Sequence, residues 1–232
     1  VIHYHGTPLT PRTELMKMAG KHFCVPFADA RDADWCLAHG QSVMWDNGAF
    51  SVWKSGAVID WNKLYAWLEA RLGQPHWAVV PDVINGSIEQ NLELIRQWPF
   101  HKNVSAVVWH LNEGIDHLFR LIDLGFSKVC FGSTEEYEPV GGPAWERLMY
   151  TVFNELDRRG LIGVIWLHAL RGLWLAGDIF PFSSGDSTNV ARNFKNTNRY
   201  VCPERMARRI DAIQCPITWS ARPEQRDMFD AA

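Results

Sequence analysis

The stretch HWAVVPDVINGSIEQNLELIRQW, from His76 to Trp98, sets the pattern for the whole chain. Its first part, His76 to Pro81, is apolar and rich in strand formers, and Asp82 closes it. Ser87 followed three residues later by Gln90 is a capping-box signature, after which Leu92, Ile95 and Trp98 fall at helical spacing. The segment predicts a strand, a loop and a helix, with a carboxylate at the strand's carboxyl end.

The same unit recurs in both directions. Val1–Tyr4, Phe23–Phe27, Ser42–Trp45, Val104–Trp109, Lys128–Phe131, Val164–Leu167 and Asp178–Phe182 read as further strands. Between them stand helix signals: Thr10-Pro11, Asp60 before Leu64, Trp67, Leu68 and Leu72, and Pro143 opening a helix that Gly160 ends. A last helix is expected from Pro203 to Ile213. Eight strands mostly separated by helices, in a chain near the lower size limit of the class, predict a single α/β domain over 1–232, a (β/α)8 TIM-type barrel. A doubly wound open sheet is the competing topology. The barrel is favoured by where polar residues collect: His5, Asp46, Asp82, His110, Ser133, His168 and Asp186 all stand near strand ends, where barrel enzymes place their chemistry.

Composition narrows the classes. The 232 residues, 47% hydrophobic and 21% charged, are enough to bury a full core without disulfides or a structural metal. Five scattered cysteines with no C-x-x-C pair read as reduced thiols. No stretch approaches the ~20 apolar residues of a membrane span, and no signal peptide is evident, so a cytoplasmic protein with no membrane association is expected. The net charge of −3 excludes a uniformly basic coat but hides an asymmetry, −6 over residues 1–189 and +3 over 190–232. Of the 12 Trp, those at 45, 67, 77, 98, 109 and 166 fall on strands or inward helix faces and are expected in the core.

Three aspartates carry the chemical reading. Asp46 ends an apolar strand and opens Asn47-Gly48, which is also a tight-turn signal. Asp82 follows a buried run, where an unpaired carboxylate is costly and a ligand bearing N–H donors would satisfy it. Asp186 lies in the small, hydroxyl-rich segment Ser183 to Asn189, which equally suits a helix entry. Carboxylates from three strand ends can supply a nucleophile, a proton-transfer group and a base reader, and two suffice for glycosyl transfer. The alternative is a metal-dependent hydrolase: His3 and His5 alternate on one strand and, with His168, suggest a His/Asp metal site. A non-catalytic nucleic-acid-binding barrel is the third reading.

In order along the chain, Met44-Trp45-Asp46-Asn47-Gly48-Ala49-Phe50, Val80-Pro81-Asp82-Val83, Cys130-Phe131-Gly132-Ser133 and Ser183–Asn193 resemble motifs of the tRNA-guanine transglycosylases. The resemblance covers most of the chain from Asp46 to Asn193. It implies a (β/α)8 barrel that exchanges guanine for a 7-deazaguanine base, with no cofactor and no catalytic metal. Carried over, it makes Asp186 the nucleophile at C1′, with Asp178 the competing position near the eighth strand, and Asp46 the proton-transfer group. Asp82, His110, Gly132, Ser133 and Phe50 become base-binding residues, and His168 and Arg171 face the sugar-phosphate. The family's zinc-binding insert is absent, and its Gly-Phe-Gln has become Ala49-Phe50-Ser51. These departures resemble the divergent branch, common in bacteriophages and mobile elements, that inserts 7-deazaguanine into DNA. DNA is therefore the preferred polymer substrate and tRNA the second.

The basic segment 190–214, ahead of a short tail 215–232, supports a nucleic-acid partner. Arg192, Lys195, Arg199, Arg205, Arg208 and Arg209 are interleaved with Phe194 and Tyr200, a pattern that neutralises phosphates and stacks on bases. A solvated terminal helix is the plainer explanation of the same residues.

Overall fold

The computed structural model describes residues 1–56, 58–172, 179–195 and 200–220. Eight strands form a closed, all-parallel ring: β1 (Ile2–Gly6), β2 (His22–Pro26), β3 (Ser42–Asp46), β4 (Trp77–Val79), β5 (Ser105–His110), β6 (Lys128–Gly132), β7 (Trp166–Ala169) and β8 (Ser184–Ser187). The ring closes where β8 pairs with β1, Tyr4 standing opposite Asp186. The chain is a (β/α)8 barrel. Around it lie α1 (Arg12–Met16), α2 (Ala33–His39), α3 (Ala49–Ser55), α4 (Trp61–Glu69), α5 (Ile88–Gln97), α6 (Ile115–Asp123), α7 (Pro143–Arg158), α8 (Asn189–Asn193) and α9 (Pro203–Asp211). No helix among the described residues is long and apolar enough to cross a membrane.

Local signals explain the helices. Asp60 caps α4 by accepting from the N–H groups of Asn62 and Lys63, Ser87 and Gln90 complete the capping box of α5, and Pro143 occupies the first turn of α7. The outer layer of core lies between strands and helices, with Trp45 edge-on to Trp67 and Trp109 edge-on to Phe131. Inside the ring, Tyr4, Cys24, Met44, Trp77, Val79, Ala106, Val108 and Cys130 form a separate plug. The Tyr4 hydroxyl accepts from the Trp77 indole N–H at 2.9 Å, so this dry layer leaves that donor satisfied. All five cysteines are free thiols.

Strand alternation fixes what lies above the plug. Side chains repeat every second residue, so the residues two beyond Tyr4, Cys24, Met44, Val108, Cys130, His168 and Ser184 point to the barrel mouth: Gly6, Pro26, Asp46, His110, Gly132, Leu170 and Asp186.

Three expectations change. The eighth strand is Ser184–Ser187, not Asp178–Phe182: Phe180 and Phe182 instead pack in the outer layer against Trp145 and Phe153, and Asp178 lies outside the described residues. His3 and His5 share a face as expected, but that face is the outer one. His3 Nε2 lies 2.8 Å from the Ile213 carbonyl and His5 Nε2 lies 2.9 Å from Asp211, so neither meets His168 in the barrel. Part of the proposed tail belongs to the body, because Trp219 is buried against Phe153 and Phe180.

Candidate active site

At the carboxyl end of the barrel the mouth opens into a cavity of about 640 Å³, within the size range of small-molecule sites. Asp46, Asp82 and Asp186 all line it, with Gly132, Ser133, His110, Phe50, Arg171 and Arg192. The three carboxylates thus meet in one place, each in a different environment.

Asp186 is buried and held on one oxygen. Its Oδ1 accepts from the Arg171 backbone N–H at 2.9 Å and from His168 Nε2 at 3.2 Å. Arg171 reaches that position with a φ of 56°, a left-handed conformation that non-glycine residues seldom hold. Behind His168 the chain of donors continues: the Trp166 indole N–H donates to Ser184 Oγ at 2.6 Å, and Ser184 Oγ lies 2.8 Å from His168 Nδ1. With the Ser184 hydroxyl donating to Nδ1, the His168 Nε2–H is free to donate to Asp186. The Oδ2 atom of Asp186 accepts no hydrogen bond from a described residue.

Asp46 sits two residues above Met44 of the plug. Burial, then the neighbouring carboxylates of Asp186 and Asp82, push its pKa up to about 7, against the opposing pull of the Gly48 N–H and the Arg171 charge. The turn after it requires glycine: Gly48 has a φ of 80°, and a Cβ there would meet Ala28 at 3.2 Å. This turn carries Asn47 across the mouth. Asn47 Nδ2 donates to Asp82 Oδ1 at 2.7 Å and to the Val80 carbonyl at 2.9 Å, while its Oδ1 accepts from the Ala49 N–H.

Asp82 receives a second donor from His110, whose Nε2 lies 2.9 Å from Oδ2. The other ring nitrogen of His110 lies 3.2 Å from Glu113 Oε1, and Glu113 Oε2 accepts the His110 backbone N–H at 3.0 Å. Burial disfavours a charge on His110, yet the two carboxylates outweigh it and raise the pKa to about 9. The same pairing overcomes burial at Glu113 and holds that carboxyl below its usual range.

Several expected contacts fall elsewhere. His168 is fully buried beneath Asp186, so it orients that carboxylate and does not face a sugar-phosphate. Phe194 is packed in the outer core at 2% exposure and cannot stack on a base, and Tyr200 bonds Lys17 and Glu14 near α1. Of the basic segment, Arg192 lines the mouth; Lys195 is not among the lining residues, Arg205 and Arg209 border a separate hollow, Arg208 pairs with Glu204, and Arg199 lies outside the described residues. At the rim the Arg171 guanidinium lies 4.1 Å from the Phe50 ring centroid and its Nη2 contacts Glu138 at 3.2 Å.

Sequence reasoning passes over Asn47 and Trp53, which line the mouth, and Glu113, which contacts His110. Asn47 reads as turn chemistry and Glu113 as a loop residue; only the spacing of Glu113, three beyond a strand-end His, hints at pairing. No group of three or more His, Cys, Asp and Glu side chains among the described residues is arranged to hold a metal ion. No protein-family model, curated protein or solved structure matches the chain.

Proposed function

We propose that this chain is a glycosyltransferase that exchanges guanine in nucleic acid, DNA ahead of tRNA, for a 7-deazaguanine base through a covalent bond between Asp186 and the sugar. The observation that carries the reading is the contrast between two carboxylates in one cavity. Asp186 is held by two N–H donors with one oxygen open, whereas Asp46 is desolvated beside other carboxylates and has a pKa pushed up to about 7. Two carboxylates in such different environments within one cavity support a nucleophile and an acid–base group.

In the first step Asp186 Oδ2 attacks C1′, the C1′–N9 bond breaks, and its electron pair leaves with guanine, which takes a proton from Asp46. In the second, the incoming base gives its N9 proton to Asp46, its N9 attacks C1′, and the bond to Asp186 breaks. The proton and the nucleophile are both restored. Asp82, fixed by Asn47 and His110, has lone pairs left to accept from adjacent N–H donors on a purine edge. A duplex must release the nucleotide from the stack, because C1′ has to reach the bottom of the mouth.

Incubation with guanine-containing DNA and, separately, tRNA in the presence of radiolabelled guanine tests this. Label is expected to enter DNA preferentially, with a denaturation-resistant protein–nucleic acid adduct that Asp186→Asn abolishes. Exchange that persists in Asp186→Asn would overturn the mechanism, and label entering tRNA alone would overturn the choice of polymer.

A further inference from the structure

The buried line Asp82–His110–Glu113 does more than place a histidine at the mouth. Both ring nitrogens of His110 face carboxylates, at 2.9 and 3.2 Å, and carboxylates only accept. An arrangement with hydrogen bonds on both sides therefore needs both ring nitrogens protonated. It also leaves His110 no N–H to offer a ligand, although the ring lines the cavity. Glu113 is not among the lining residues, and it is held from three further directions: the His110 backbone N–H at 3.0 Å, Asn91 Nδ2 at 3.4 Å and His117 Nε2 at 3.7 Å.

We infer that Glu113 is a positioning residue for base recognition, which acts by keeping His110 doubly protonated so that His110, with Asn47, fixes the Asp82 carboxylate toward the base. This rests on Asp82 being the base-facing acceptor of the proposed exchange. Without Glu113, His110 is left with desolvation and a single carboxylate partner, and its proton is released at lower pH. The neutral ring would keep its remaining proton on Nε2, facing Asp82, but that bond would lose its charge assistance and hold the carboxylate less firmly. The charged groups around the ring are Asp82 beyond β4, Glu113 in the turn after β5 and His117 on α6, which approaches through Glu113. Asp46 acts on Asp82 from across the mouth.

Two measurements on the full chain test this. In ligand-free protein with ¹⁵N-labelled histidine, His110 is expected to show two protonated ring nitrogens at pH 7.5, with a midpoint near 9 that falls by at least about one pH unit in Glu113→Gln. In equilibrium dialysis with radiolabelled guanine, Glu113→Gln is expected to bind within about threefold of the parent protein at pH 6 but about tenfold more weakly at pH 8, the loss of roughly one charge-assisted hydrogen bond. His110→Gln, which keeps a neutral donor, is expected to lose this difference between the two pH values. An unchanged His110 midpoint in Glu113→Gln overturns the inference, as does a lowered midpoint with unchanged guanine binding at pH 8. If Glu113→Gln does not fold, a singly protonated His110 in the parent protein at pH 7.5 overturns it. Absence of guanine binding to the parent protein, with the His110 shift intact, would instead remove the base-exchange reading.

Discussion

One proton on Asp46 ties the proposed base exchange to stability. The native Asp46 pKa of about 7 lies above the ordinary carboxylate value, so between those two values the folded chain holds a proton that the unfolded chain has released. Stability from this group is complete below the unfolded value, falls as pH rises through the window, and stays reduced above about 7. Asp46→Asn removes the cost of the buried charge. The variant is expected to match the parent protein in urea denaturation near pH 3 and to exceed it by about 1–2 kcal/mol at pH 8, after discounting for partial exposure. Base exchange should fall about 10²–10⁴-fold in the same protein, the usual worth of a positioned proton-transfer group. A variant equally destabilised at both pH values would show that Asp46 is a structural acceptor. The sequence points to this residue as the polar end of the apolar strand Val43-Met44-Trp45, although Asp46-Asn47-Gly48 equally reads as a tight turn. It does not disclose Glu113, since a Glu three residues past a strand end is indistinguishable from ordinary capping until the His110 ring is seen between two carboxylates.

At the scale of elements, β8 shows where hydrophobic pattern stops being informative. Phe180 and Phe182 carry the apolar signal but belong to the outer layer under α7, while the strand is Ser184-Gly185-Asp186-Ser187. Such a strand survives inside a barrel because partners from β7 absorb its polar groups, Trp166 and His168 both meeting Ser184 Oγ. No single-strand periodicity can report that compensation, since it comes from a neighbour 18 residues away in sequence. By contrast β3 and β5 combine apolar runs with a polar last residue and are legible directly. Ser184→Ala leaves the Trp166 N–H and His168 Nδ1 without their partner, and is expected to cost about 1–3 kcal/mol in urea denaturation. Trp166→Phe removes one of those orphaned groups, so the double variant should lose less than the sum of the two single changes. Strict additivity would mean that Ser184 and Trp166 are not coupled.

Across the whole molecule, the order of the first seven strands was written in the sequence because their units repeat the same local signals, and closure into a ring follows once β8 lies beside β1. The charge asymmetry was legible too, but its placement was not: side-chain direction on α8 and α9 depends on how those helices dock. Docking sends Phe194 into the core, pairs Arg208 with Glu204, and brings Arg192 to the cavity that holds Asp186. Arg192 lines that cavity, whereas Arg208 is paired with Glu204, so the proposed exchange predicts a phosphate contact at Arg192 and none at Arg208. Measured on Asp186→Asn protein, so that binding is seen without chemistry, log K against log salt is expected to lose about 0.7 to 0.9 of its slope in Arg192→Ala, the signature of one phosphate contact. Arg208→Ala should leave the slope unchanged. Equal slopes for the parent and Arg192→Ala proteins would separate the mouth from the polymer's path, and equal losses at Arg192 and Arg208 would reduce the basic segment to a diffuse field with no contact at the site.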